Sequence, residues 1–128
     1  MNYTSRKGWF DARIVPYSDL SLDPAALVLH YSQEIFEGLK AYRLENGGIA
    51  LFRPEDNIKR MNSSAHRMCM PRIDPTMALE ALRELVLVER QWIPSSKGTS
   101  LYLRPTMIAT DAAIGMRTSD TYLFYIIA

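Results

Sequence analysis

A tyrosine and an arginine alternate with apolar residues in the segment GTSLYLRP, from Gly98 to Pro105. The stretch from Ser100 to Thr110 is predicted as a strand, whose two-residue period places Tyr102 and Arg104 side by side on one face. A guanidinium holds a carboxylate through two parallel hydrogen bonds, and a neighbouring phenol adds a third. Such a pair can bind a carboxylate, although without further context the pattern indicates an ordinary solvent-facing strand surface.

Basic residues also follow one side of a predicted helix. Pro54 fits the first turn of this helix, and apolar residues recur at helical spacing until Pro71. These apolar residues are Ile58, Met61, Ala65 and Met68. The opposite side carries Arg60, Ser64 and Arg67, which composition alone interprets as a solvent-exposed helix surface.

Other segments complete an α+β pattern. The run from Ala25 to Tyr31 is predicted as a strand or a short buried segment, and Glu45-Asn46-Gly47-Gly48 predicts a hairpin turn. A second helix begins at Asp74 and Pro75. The apolar run from Thr121 to Ala128 is predicted as a strand of a kind that normally continues into further structure. The expected architecture is a single domain, residues 1–128, with a mainly antiparallel sheet and two helices packed on it.

Composition excludes several classes of function. A net charge of +1, from 15 basic and 14 acidic residues, gives no electrostatic basis for binding nucleic acid or an anionic membrane. The single cysteine, Cys69, indicates a reducing, cytoplasmic setting. His30 and His66 are isolated, so no metal site is predicted. No apolar run is long enough for a signal peptide or a membrane span.

Three segments carry a family resemblance. They are YSQEIFEGLKAYR (Tyr31 to Arg43), LFRPEDNIKRMNSSAHRMCMP (Leu51 to Pro71) and GTSLYLRP (Gly98 to Pro105). In this order they resemble the branched-chain amino-acid aminotransferases, pyridoxal-phosphate enzymes of fold type IV. The resemblance implies a small amino-terminal domain without the carboxy-terminal cofactor-binding domain. The family's Schiff-base lysine then lies beyond Ala128, so no catalytic residue is expected here and the chain alone is expected to be inactive.

The resemblance also implies the roles of three anion-binding residues. It places Arg60 against the phosphate of pyridoxal 5'-phosphate. It assigns Tyr102 and Arg104 to the distal carboxylate of glutamate or 2-oxoglutarate. Lys40 matches a family lysine that is not the catalytic one.

Two aromatic residues match the family's pocket for the aliphatic side chain, and a loop matches one that reaches the active site. Tyr31 and Phe36 line it in the family, one of them across a homodimer interface, although simple core aromatics fit the same pattern. In the family, the loop that matches Ala112 to Asp120 reaches the neighbouring subunit's active site, so the resemblance implies that Ile114 and Met116 pack on bound substrate.

The resulting hypothesis is transamination between leucine, isoleucine or valine and 2-oxoglutarate, with amino acids and 2-oxo acids as partners. Two alternatives stay open. One is another fold type IV enzyme, such as a D-amino-acid transaminase or an aminodeoxychorismate lyase. The other is a non-catalytic interaction domain that pairs through a sheet edge. The LYLRP and EIFEGLKAY segments favour the first hypothesis.

Overall fold

A computed structural model describes all 128 residues and confirms the α+β class. The strands are β1 (Asn2–Thr4), β2 (Gly8–Phe10), β3 (Glu34–Phe36), β4 (Leu39–Arg43), β5 (Ile49–Leu51), β6 (Leu101–Ala109) and β7 (Thr121–Ile127). The helices are α1 (Leu27–Tyr31), α2 (Pro54–Arg67) and α3 (Pro75–Val88), followed by a 3₁₀ turn at Arg90–Trp92. Every strand pair is antiparallel.

The sheet is organised around β6. The strand order is β2-β1-β7-β6-β4-β5, with β3 also paired to β6. β3 and β4 keep one register against β6, since Phe36 pairs with Thr106 and Leu39 with Leu103. The gap between β3 and β4 lies opposite Pro105, which has no backbone N–H to donate. The backbone N–H of Glu37 still donates to the Pro105 carbonyl, at 2.9 Å.

The predicted hairpin is confirmed. β4 and β5 pair from Ala41–Leu51 to Arg43–Ile49. Gly47 has a φ of +80° in the turn, and the Leu44 N–H donates to the Gly48 carbonyl at 2.8 Å. Glycine takes this left-handed conformation without the steric cost that a Cβ brings.

Two long helices cover the core face of the sheet. Asp74 caps α3 as predicted, because its side chain accepts from the Met77 N–H at 2.9 Å. α2 ends at Arg67, before Pro71, since Cys69 takes a left-handed φ of 55° and the Met70 N–H turns back to the Ala65 carbonyl. Met68, the last residue of the apolar stripe, is 40% exposed. The fully buried members of that stripe are Ile58, Met61 and Ala65.

The segment from Ala25 to Tyr31 is a helix rather than a strand. Only Ala26 makes a strand-like bridge, to Ala112. The helix α1 then follows, and the Ser32 N–H donates to the Val28 carbonyl at its end. The alternative of a short buried segment holds only for Ala26 and Leu27, which are fully buried, because Leu29 is 59% exposed. The short strands β1, β2 and β3 were not predicted.

Asn62 holds the chain between α2 and α3. Its side chain accepts from the Ile73 N–H at 2.9 Å and donates to the Ile73 carbonyl at 2.8 Å. We expect Asn62→Ala to lower the free energy of unfolding by about 2–3 kcal/mol, because it leaves two backbone groups unpaired beside a buried side chain. Urea denaturation measures this. The exposed neighbour Ser63 provides the control, and an equal loss for Ser63→Ala would contradict the assignment.

Candidate functional site

Tyr102 and Arg104 lie together on the open face of β6. Arg104 donates from Nε and from one terminal nitrogen to the Tyr102 hydroxyl oxygen, at 3.2 and 2.9 Å. The Arg104 guanidinium also stacks over the Phe36 ring, with its carbon 4.2 Å from the ring centre. Leu103 points to the opposite face and is fully buried. The predicted side-by-side placement of Tyr102 and Arg104 is therefore confirmed.

Gly38 provides the space that the Tyr102 ring occupies. A Cβ added at Gly38 would lie 2.2 Å from the Tyr102 hydroxyl oxygen, which is far inside contact distance. Gly38 follows Phe36 on the open face by strand alternation. The missing side chain thus allows Tyr102 to lean along the sheet and meet Arg104.

Arg60 is held by a buried carboxylate that sequence analysis missed. Its Nε donates to Glu37 Oε1 at 2.8 Å, and a terminal nitrogen donates to Glu37 Oε2 at 2.6 Å. Asn57 donates to Glu37 Oε2 at 3.1 Å and also to the Gly38 carbonyl. Glu37 is 6% exposed, whereas the Arg60 side chain is 64% exposed. A signal was present in the sequence, because Glu37 occupies the same face of the strand alternation as Ile35 and requires a partner there.

The electrostatics of Arg60 follow from this contact. The hydrogen bond to Glu37, together with the negative charge of that carboxylate, raises the pKa of Arg60 above the usual arginine value. The guanidinium therefore stays protonated. Its remaining terminal nitrogen makes no hydrogen bond within the chain and is free to receive an anion.

An open cleft of about 450 Å³ lies between the start of α2 and the open face of β4. Three cationic residues line it: Lys40, Arg53 and Arg60. The cleft also contains Tyr102 and one exposed acid, Asp56, which pairs with Arg53 at 2.5 Å. This excess of positive charge and free donors suits a phosphate group. Residues able to bind phosphate thus lie beside the face of the sheet that carries Tyr102.

Tyr31, Ile114 and Met116 form a second group. The Tyr31 hydroxyl donates to the Ile114 carbonyl. Ile114 is 74% exposed and Met116 is 85% exposed, on a loop that the Asp111–Arg117 ion pair closes at 2.6 Å. This loop follows the Ala109 end of β6, and five residues of strand span about 17 Å. No hydrogen bond or ring contact within the chain joins this group to the Tyr102–Arg104 pair.

No metal site and no membrane-spanning helix accompany these two groups of residues. No three or more histidine, cysteine, aspartate or glutamate residues are placed to hold a metal ion. None of the helices combines the length and the apolar composition of a membrane span. A larger cavity of about 650 Å³, mostly apolar, lies between α3, β7 and the segment from Asp11 to Leu20. It contains none of the predicted site residues.

Gly38→Ala tests the geometry of the Tyr102–Arg104 pair. The added methyl group should displace the Tyr102 hydroxyl and break both hydrogen bonds from Arg104. Hydrogen exchange of the Arg104 Nε–H, followed by NMR, should become faster. Gly115→Ala is the control, since a Cβ there meets nothing within 4 Å. Unchanged exchange in the Gly38 variant would show that the glycine does not position the tyrosine.

Known proteins match the chain in sequence and in structure, although no protein-family model matches it. The chain is 52% identical over 127 residues to branched-chain-amino-acid aminotransferase 2 of Bacillus subtilis, covering 99% of the chain and 35% of that protein. The Escherichia coli branched-chain amino acid aminotransferase structure matches 91% of this chain and 36% of that one, with a TM-score of 0.71 and 25% identity.

A structure of the T.th. branched-chain amino acid aminotransferase with pyridoxamine 5'-phosphate is also similar. It has a TM-score of 0.67 and 27% identity, over 86% of this chain and 35% of that one. The chain thus spans about a third of the length of the proteins that it matches. By sequence and by fold, these 128 residues are homologous to part of the branched-chain-amino-acid aminotransferases.

Proposed function

We propose that residues 1–128 are the small amino-terminal domain of a pyridoxal-phosphate-dependent branched-chain aminotransferase of fold type IV. The complete enzyme would exchange the amino group between leucine, isoleucine or valine and 2-oxoglutarate. The observation that carries this proposal is the arrangement of Arg60, Tyr102 and Arg104: Arg60 and Tyr102 line one cleft, and Arg104 is hydrogen-bonded to Tyr102. The 52% identity to a branched-chain aminotransferase supports it.

The cofactor would bind mainly to the rest of the complete protein. When bound, pyridoxal phosphate supplies the electron sink for the exchange. From this chain, Arg60 would hold its phosphate, because the guanidinium is charged, exposed and fixed on Glu37. The similar T.th. structure, which has pyridoxamine 5'-phosphate, supports this choice of cofactor. Residues 1–128 alone would be inactive, since the required lysine would lie further along the protein.

Tyr102 and Arg104 would receive the distal carboxylate of glutamate or 2-oxoglutarate. The Phe36 ring supports the Arg104 guanidinium from one side, at 4.2 Å. The aromatic contact limits the directions in which Arg104 can turn. A leucine side chain carries no charge, so it would use the aromatic surface of Phe36 rather than the guanidinium.

A homodimer would complete the pocket. Tyr31, Ile114 and Met116 lie near the far end of β6, and Ile114 and Met116 expose most of their apolar surface. A second copy would bring these three residues beside substrate bound at its partner.

The single cysteine, Cys69, agrees with a cytoplasmic setting for such an enzyme.

Arg104→Ala in the complete enzyme tests the assignment of the distal carboxylate. The loss of a charge-assisted hydrogen bond costs about 1.5–3 kcal/mol, so the glutamate half-reaction should slow by about tenfold to a hundredfold. The leucine half-reaction should change much less, because leucine has no distal carboxylate. Single-turnover assays of both half-reactions measure the difference, and equal losses would remove Arg104 from this role.

Arg60→Ala tests the phosphate assignment. The variant enzyme should release cofactor on dialysis at least about tenfold faster, because the phosphate loses a charged donor. Arg67→Ala provides the control, since Arg67 is an exposed arginine on the same helix. Removing Arg60 also leaves Glu37 buried without its cation, so thermal stability should fall as well. Dialysis must therefore be done well below the unfolding temperature of the variant. If the variant retained the cofactor as well as the wild type does, Arg60 would be an ordinary surface residue.

A further inference from the structure

Glu37 occupies an unusual place for a carboxylate. Strand alternation sends Phe36 and Gly38 to the open face and Glu37 to the core face, where it is 6% exposed. Its backbone is fixed by the hydrogen bond to the Pro105 carbonyl, at 2.9 Å. Its side chain accepts three hydrogen bonds, two from Arg60 and one from Asn57. Both ends of the residue are therefore held by the sheet and by α2.

Arg60 depends on this carboxylate for its direction. Most of its side chain is exposed, so packing alone does not hold it. The guanidinium is planar, and fixing two of its nitrogens on Glu37 fixes the direction of the third. That third nitrogen is the one without a partner in the chain, and Arg60 lines the cationic cleft.

Charge and geometry predict opposite effects of Glu37 on anion binding at Arg60. Its negative charge cancels part of the positive charge of Arg60, so by Coulomb's law alone its removal would strengthen anion binding. If its main effect is to orient the guanidinium, its removal weakens anion binding. The burial and the two-pronged contact favour orientation, because a flexible arginine must lose its freedom each time it binds an anion.

We infer that Glu37 is a positioning residue, which together with Asn57 orients Arg60 to receive the cofactor phosphate. This inference rests on the proposed function, since it takes the anion at Arg60 to be that phosphate. Glu37 touches neither cofactor nor substrate and acts only through Arg60. By orienting Arg60, Glu37 raises the affinity for phosphate more than its negative charge lowers that affinity.

The test uses the complete enzyme with its cofactor removed. Glu37→Gln keeps the size of the side chain and removes its charge. Glu34→Gln is the matched control, because Glu34 is an exposed acid in the nearby strand β3 and its loss changes the net charge equally. Titration with pyridoxal phosphate, and with inorganic phosphate as a competitor, gives dissociation constants for each protein without measuring turnover.

We expect Glu37→Gln to weaken the binding of both phosphate ligands by about tenfold or more, whereas Glu34→Gln leaves it unchanged. Pyridoxal without its phosphate should bind the wild type and Glu37→Gln with equal affinity. Equal or tighter phosphate binding by Glu37→Gln would overturn the inference. Failure of the wild-type protein to bind pyridoxal phosphate would instead overturn the proposed function.

Asn57→Ala keeps the test decisive if Glu37→Gln does not fold. This variant removes one of the three hydrogen bonds of the carboxylate and leaves both charges in place. Phosphate binding should weaken severalfold, as Arg60 becomes less well oriented. Glu37→Asp, which retains the charge but not the reach, should not restore wild-type affinity. Unchanged phosphate binding in Asn57→Ala, or full affinity in Glu37→Asp, would count against positioning.

Discussion

The contact between the buried Glu37 carboxylate and Arg60 joins the core of the domain to its candidate site. A carboxylate removed from water is tolerated only with a cation and further donors, and here Arg60 and Asn57 supply them. Both donors come from α2, so the contact also ties this helix to the segment between β3 and β4. The direction of the exposed arginine thus depends on one buried side chain between β3 and β4.

Around Pro105, strand alternation sends neighbouring residues to opposite faces of the sheet. Glu37 faces the core and Gly38 faces the open side, so adjacent residues support two different parts of the candidate site. Glu37 accepts two hydrogen bonds from Arg60, and Gly38 makes room for Tyr102 beside Arg104. Pro105 offers no N–H at this point, and the pairing of β6 passes from β4 to β3 there. A small change in register would disturb both parts, because a slip of one residue exchanges the two faces.

Local sequence patterns predicted the parts of the fold that depend on local physics. The alternation of Tyr102 and Arg104, the Gly47 turn and the Asp74 cap each follow from a few neighbouring residues. The short segments were not predictable in this way. A helix of 5 residues at Leu27–Tyr31 and strands of 3 residues at β1, β2 and β3 are too brief for periodicity to distinguish.

Long-range pairs in the candidate site were also hidden from the sequence. Arg60 and Glu37 are 23 residues apart, and Tyr31 and Ile114 are 83 residues apart. Helical periodicity correctly placed Arg60 on the exposed side of α2, but only the packing of α2 on the sheet revealed its partner. The family resemblance identified the residues proposed to hold anions, whereas the residues that orient them, Glu37 and Gly38, emerged from the structure.

A crystal structure of the complete enzyme with pyridoxal phosphate and 2-oxoglutarate would test the central claim most directly. The account predicts a phosphate oxygen within hydrogen-bonding distance of the free terminal nitrogen of Arg60, with Glu37 still holding the other two nitrogens. It also predicts the distal carboxylate of 2-oxoglutarate on Arg104 and the Tyr102 hydroxyl. Density for both ligands elsewhere, with Arg60 and Arg104 facing solvent, would contradict it.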